Sequence, residues 1–235
     1  MSATLNENQF SRVVNFTTTN QQSLKRKLTP EQTRLTRELL LNKWFPSIGF
    51  NPSEFERYEL DKLASWVAAY GYNKQCNPPK ADRPRKSLLI CGPCGRGKTM
   101  LARLLRDKFE LPYMTADDLS KFANDEDNAS SYMRDRVLLA KYDIVIDDLG
   151  AETLRTKYGN CSEFPQLLQR LYESWNYNNK LIIATTNLSF TKEGLAAFNA
   201  LYGERITDRL VEMFMTVRIS GNTNMRRIGN NSSPY

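Results

Sequence analysis

The chain contains no histidine. That removes imidazole bases, imidazole-activated nucleophiles and imidazole metal ligands, and with them most hydrolase triads and most zinc sites. Cysteine is scarce: Cys76, Cys91, Cys94 and Cys161 are the four in 235 residues. Only Cys91 and Cys94 lie close together, so a four-cysteine zinc site lacks its second pair. No apolar run approaches the roughly 20 residues needed to span a bilayer. The opening residues MSATLNENQF also lack the basic-then-apolar layout of a signal peptide. The expectation is a cytoplasmic protein without membrane contact.

What is present is an ordinary globular composition, 40% hydrophobic and 25% charged, with 33 Lys and Arg against 26 Asp and Glu. The excess of +7 favours contact with phosphate polyanions, but proteins that bind none can carry it too.

The stretch SLLICGPCGRGKTMLARLL, from Ser87 to Leu105, holds two overlapping signatures. Cys91-Gly92-Pro93-Cys94 has the spacing of a thiol redox motif, and Gly92, Pro93, Cys94, Gly95, Arg96, Gly97, Lys98 and Thr99 have that of a phosphate-binding loop. A redox pair caps a helix so that the first thiol meets the positive helix end. Here Gly95-Arg96-Gly97 follows Cys94, and the helix is expected to begin at Lys98 with Met100, Leu101, Leu104 and Leu105 as its apolar face. SLLIC reads as a short buried strand. Strand, glycine loop and helix are the context a phosphate loop requires: backbone N–H groups point inward, Lys98 neutralises the β- and γ-phosphates, and the Thr99 hydroxyl binds Mg²⁺. Cys91 then ends a strand and Cys94 fills a tolerant loop position, with redox sensing kept as a separate hypothesis.

A triphosphate site needs a second, acidic strand. KYDIVIDDLGAE supplies one: Ile144, Val145 and Ile146 deliver Asp147 and Asp148 to the carboxyl edge of a sheet, where open α/β sheets bind ligands. Asp147 is read as the Mg²⁺ residue and Asp148 as the residue that orients and polarises the attacking water. In KLIIATTNLS an apolar strand ends in Thr185, Thr186 and Asn187; set between the other two strands, the Asn187 amide can touch both the γ-phosphate and the water.

Strands are expected at 87–91, 113–114, 143–147, 181–185 and 213–220. Helices are expected at 98–109, 116–122, 131–141 and 164–177, with short ones within 191–200 and 204–212. Leu167, Leu168, Leu171, Tyr172 and Trp175 follow helical spacing as a core-facing stripe. Alternation of this kind implies a parallel sheet flanked by helices. Upstream, Thr29-Pro30-Glu31-Gln32 is a capping box leading into Leu35, Leu39, Leu40 and Trp44. Ser53-Glu54-Phe55-Glu56 reads as a second box, opening a helix that carries Phe55, Leu63, Trp66, Val67 and Tyr70. CNPPKADRPRK is a linker, and the polar stretch after Ser220 is expected to be disordered.

In this order, GPCGRGKT, IVIDDLGAE, IIATTN and YGERITDRL resemble the bacterial DnaC-type helicase loaders, AAA+ ATPases that share a branch with the IstB-type transposition helpers. The resemblance covers roughly residues 50 to 220. It implies a five-stranded AAA+ core over 49–220 without a C-terminal helical lid, a helical N-terminal extension over 1–48 that grips a helicase, and a tail over 221–235. It makes Asn187 the first sensor and pairs Arg205 with Arg209, the latter aligned with the arginine finger that reaches a neighbour's ATP in a head-to-tail spiral or ring. From the residues alone, Arg205 and Arg209 sit at i and i+4 on one helix face, which a solvated helix edge would also show. The family threads single-stranded DNA along its core; in ETLRTKYGN, Arg155, Lys157 and Tyr158 combine cations with a ring able to stack on a base, or form an exposed basic loop. Phe122 is a weaker candidate.

One departure stands out: Asp148 occupies a position that is Glu in many AAA+ proteins, which points to slow hydrolysis. The resemblance thus implies an ATPase using ATP and Mg²⁺ to load a replicative hexameric helicase onto single-stranded DNA, with a transposition helper as the alternative. A small-molecule kinase and a non-hydrolysing nucleotide scaffold are further readings.

Overall fold

The computed structural model describes residues 28–75, 84–124, 143–152, 164–221 and 225. Among them no helix is long and apolar enough to cross a membrane. The chain divides into two compact units: residues up to Pro52 with Arg57–Arg85, and Ser53–Glu56 with Lys86–Tyr235.

The first unit begins with α1, Pro30–Leu39. Its expected capping box forms: the Gln32 N–H donates to Thr29 Oγ1 at 3.2 Å and the Thr29 N–H to Gln32 Oε1 at 2.8 Å. The helix passes into a wider π-helical turn, Leu40–Trp44, which buries Leu40 and Trp44. α2, Arg57–Gln75, packs against α1, with Arg37 Nη1 2.9 Å from Asp61 Oδ1. Leu63, Trp66, Val67 and Tyr70 are buried along α2, and the Trp66 and Tyr70 rings stack at 5.0 Å. This unit runs past the boundary drawn at residue 48, because α2 goes with α1.

The second capping box does not form as expected. Pro52–Glu54 is a 3₁₀ turn, Phe55 makes an antiparallel bridge with Ile219, and the helix starts only at Arg57. The cause is competition for the backbone: the Ser220 and Gly221 N–H groups both donate to the Glu54 carbonyl at 3.0 Å, which places this segment against the end of the sheet domain. Phe55 is therefore a bridge residue and not part of the α2 stripe.

The second unit is a five-stranded, wholly parallel sheet in the order β2-β3-β4-β1-β5. The strands are β1 Ser87–Cys91, β2 Tyr113–Thr115, β3 Ile144–Leu149, β4 Ile182–Thr186 and β5 Phe214–Arg218; the helices are α3 Lys98–Phe109, α4 Ala116–Asn124, α5 Phe164–Asn178, α6 Lys192–Tyr202 and α7 Glu204–Met213. Every described element of this unit begins and ends within two residues of its expected place. The expected helix over 131–141 lies outside the described residues. All five residues of β1 and of β4 are buried, the signature of strands covered on both faces. Leu167, Leu168 and Leu171 of α5 join the core with Ile144, Ile146 and Ile182, and Tyr172 and Trp175 pack at its margin. Met225, in the stretch expected to be disordered, is instead buried and donates its N–H to the Gly95 carbonyl at 2.9 Å.

Gly194 lies in the first turn of α6, where Thr191 caps the helix, and a Cβ there would sit 1.8 Å from the Ser189 carbonyl oxygen. Helix propensity favours Gly→Ala by about 1 kcal/mol, while overpacking costs about 1–3 kcal/mol; a backbone oxygen cannot swing aside, so the clash wins. Gly194→Ala is expected to lower the urea midpoint of unfolding, and a raised midpoint would refute the steric reading.

Lys180, before β4, is 2% exposed. Burial pulls its ammonium down from 10.5 to about 8, partly opposed by attraction to Asp143. Between these values the folded chain binds fewer protons at Lys180 than the unfolded chain, so stability rises with pH across that window. Measured against Lys180→Met at each pH, the unfolding free energy of the parent should gain about 2–3 kcal/mol from pH 7 to pH 10. A constant difference would show that Lys180 is not desolvated.

Candidate nucleotide-binding site

The loop Gly92–Gly97 leaves the end of β1 and turns directly into α3. Gly97, the residue before the helix, is in the left-handed region at φ 83°, a conformation glycine adopts without the Cβ clash. The helix start thereby presents Lys98 and Thr99 inward. Lys98 is 5% exposed. Its ammonium donates to the Gly92 and Pro93 carbonyls, both at 2.8 Å, and to Asn187 Oδ1 at 2.7 Å.

Asp147 is 3% exposed at the end of β3. Its Oδ1 accepts from the hydroxyls of Thr185 at 2.5 Å and Thr99 at 3.2 Å, and its Oδ2 accepts from the Tyr113 hydroxyl at 2.6 Å. The register of β3 on β4 shifts between Ile146 and Leu149, a bulge centred on the acidic pair. Asp148 sits there at φ 59°, and its N–H donates to Thr185 Oγ1 at 2.9 Å. One hydroxyl thus links the backbone of one acid to the carboxylate of the other. Beyond the bulge, Glu152 is buried with its carboxylate accepting from the Gly150 N–H at 2.8 Å and from the Tyr202 hydroxyl. Burial holds Glu152 above the usual carboxylate range, opposed by those donors.

Because β4 lies between β1 and β3, Thr185 and Asn187 stand between the glycine loop and the acidic pair. The structure therefore gathers Lys98, Thr99, Asp147 and Asn187 into one cluster, with Asp148 alongside. Thr185 and Tyr113 join it without having been assigned roles from sequence. Thr185 was visible as a strand-end residue. For Tyr113 the usable signal was its place one strand over from Asp147.

The loop fits an anionic group. Arg96 Nε and Nη1 are shielded from solvent and make no hydrogen bond, so this cationic loop holds donors to spare. Cys91 is buried and Cys94 exposed, both as free thiols. Among the described residues no cluster of three or more Cys, Asp or Glu forms a metal cage. Thr99 and Asp147 suit Mg²⁺, which takes few protein ligands and completes its shell with water and phosphate.

Arg205 is exposed on α7. Arg209, half-buried, lies with its guanidinium carbon 5.2 Å from the Tyr172 ring centre, and its Nη1 is shielded without a hydrogen bond. Neither joins the Lys98–Asp147 cluster. Arg155, Lys157 and Tyr158 lie outside the described residues.

A glycine loop between β1 and α3, an acid pair ending β3, and an intervening β4 define a P-loop nucleotide-binding domain. The family model of IstB-like ATP-binding proteins matches residues 82–232, and the chain belongs to that family. The chain is also similar to the crystal structure of the DnaC helicase loader, with a TM-score of 0.47 and 22% identity over 70% of this chain and 92% of that one. The family match bears out the resemblance drawn from the motifs.

Each hydrogen bond to a charged group contributes about 1.5–3 kcal/mol. Lys98→Ala is therefore expected to weaken adenine-nucleotide binding by about 10-fold or more for each phosphate hydrogen bond it deletes. Calorimetric titration checks this, and parent-like affinity would overturn the assignment of the loop.

Proposed function

We propose that the chain is an ATPase of DNA replication, one that uses MgATP to load a hexameric replicative helicase onto single-stranded DNA in the cytoplasm. The observation that carries the ATPase part is the single cluster joining Lys98, Thr99, Asp147 and Asn187. In this reading the Gly92–Thr99 loop cradles the triphosphate, Lys98 neutralises its outer phosphates, and Thr99 and Asp147 hold Mg²⁺. When bound, Mg²⁺ neutralises charge developing on the phosphate oxygens. Asp148 orients the attacking water and takes up its proton, with Asn187 steadying the γ-phosphate and the water. The Thr99 hydroxyl, by donating its proton to Asp147, keeps its oxygen lone pairs available to the metal.

Arg209 is the finger in this proposal. The motif YGERITDRL carries this role; in the chain by itself the Arg209 guanidinium lies over the Tyr172 ring, so the side chain swings out to reach a neighbour's ATP, and Arg205 assists from the same helix. That makes the active unit a head-to-tail assembly, closed by ATP. The net charge of +7 and the resemblance of the motifs to helicase loaders support contact with DNA. Single-stranded DNA then runs along the inner face past Arg155, Lys157 and Tyr158, and the N-terminal helices grip the helicase.

A second reading, an IstB-like transposition helper acting on duplex DNA, is favoured by the family match over 82–232. The two part on the polyanion bound: the slope of log K against log salt is about −0.7 per phosphate neutralised on single strands and about −0.9 on duplex. Selective binding of single strands and retention of a hexameric helicase support loading; preference for duplex with neither property supports the alternative. For the chemistry, Arg209→Ala should keep nucleotide binding yet lose about 10³-fold or more in turnover. Mixed with Lys98→Ala, it should recover part of that turnover, since each variant supplies what the other lacks. Parent-like turnover by Arg209→Ala alone would remove the finger.

A further inference from the structure

Of the three hydroxyls on Asp147, two come from positions next to the nucleotide loop in space, Thr99 at the start of α3 and Thr185 at the end of β4. The third comes from the edge of the sheet. Tyr113 opens β2 and pairs with Val145, two residues before Asp147. Residues two apart in a strand share a face and lie about 6.6 Å apart. A side chain at 113 must therefore run along the strand to meet the Asp147 carboxylate, a reach that a phenol has and a serine or threonine hydroxyl lacks. The Tyr113 hydroxyl makes the contact at 2.6 Å on Oδ2, the oxygen that neither threonine uses.

The ring is held on course by α3. The guanidinium carbons of Arg103 and Arg106 lie 5.6 and 5.5 Å from its centre, in the range of cation–π attraction. A phenol carries its proton at neutral pH and so can donate to the carboxylate. The phenol donor on Oδ2 fixes the rotation of the carboxylate, and the Arg103 guanidinium, bonded to the same hydroxyl and attracted to Asp147, backs it from behind. Oδ1 is thereby held toward Thr99.

We propose that Tyr113 is a positioning residue for magnesium: it clamps Oδ2 of Asp147 so that the other face of the carboxylate and the Thr99 hydroxyl meet the ion together. This rests on the reading of the loop as a MgATP site. Groups that orient a metal ligand from behind typically change metal affinity by about 10–100-fold when removed.

Tyr113→Phe in the full chain is the test, since it keeps the ring under its two guanidinium neighbours and removes only the hydroxyl, with its bonds to Asp147 and Arg103. Binding of a fluorescent adenine nucleotide is followed first with EDTA and then across a Mg²⁺ titration, beside the melting temperature of the unliganded protein. The expected result is a Mg²⁺ midpoint raised about 10-fold or more, with metal-free nucleotide affinity within about twofold of the parent; the melting temperature falls, because the buried Asp147 carboxylate loses one of its three donors. An unchanged Mg²⁺ midpoint overturns the inference, and so does an equal loss of metal-free and metal-dependent binding, which marks a packing role. A parent protein that binds the nucleotide under neither condition overturns the nucleotide reading itself, and this inference with it.

Discussion

Asp147 is a charged group with almost no access to water, and the sheet domain is arranged around making that tolerable. An ion moved from water into a protein interior costs several kcal/mol even after the surroundings relax. A hydrogen bond to a charged group returns about 1.5–3 kcal/mol, so one donor is too few and three are of the right size. The three present come from α3, β2 and β4. β4, which starts at Ile182, lies far beyond α3 and β2 in the chain, so the carboxylate is satisfied only when β2, β3 and β4 are in register.

The central strand carries the load from both sides. Thr185 serves the acid pair and Asn187 serves the buried lysine, two residues apart along the end of β4. Because strand side chains alternate between faces, a slip of one residue would turn Thr185 away from Asp147 and leave the carboxylate short of a donor. The fully buried, apolar body of β4 resists such a slip, since every position is already committed to packing. Here the chemistry of the site and the stability of the core depend on the same register.

Much of this was legible in the chain. SLLIC, IVID and LIIATT are apolar runs too short for anything but buried strands, and the loop glycines and adjacent aspartates sit where such strands end. The Thr29 capping box was readable because it is local: three residues settle it. The same pattern at Ser53 misled, since the Glu54 carbonyl is claimed by Ser220 and Gly221, more than 160 residues away. Tyr113 escaped notice for a related reason, its meaning lying in which residue it faces across β3. Met225 looked like part of a polar tail, yet it is buried and its N–H bonds the Gly95 carbonyl, a contact that no side-chain pattern announces. Local rules failed where distant backbone atoms took a partner first.

The first glycine of the phosphate loop shows a different kind of dependence. Gly92 stands at φ 150°, and a Cβ on it would lie 2.3 Å from the Ile219 carbonyl oxygen, just past the end of β5. The glycine is thus demanded by the sheet's own edge as well as by any phosphate. A descendant of this protein that abandoned nucleotides altogether would still have to keep it, so this letter of the signature measures architecture.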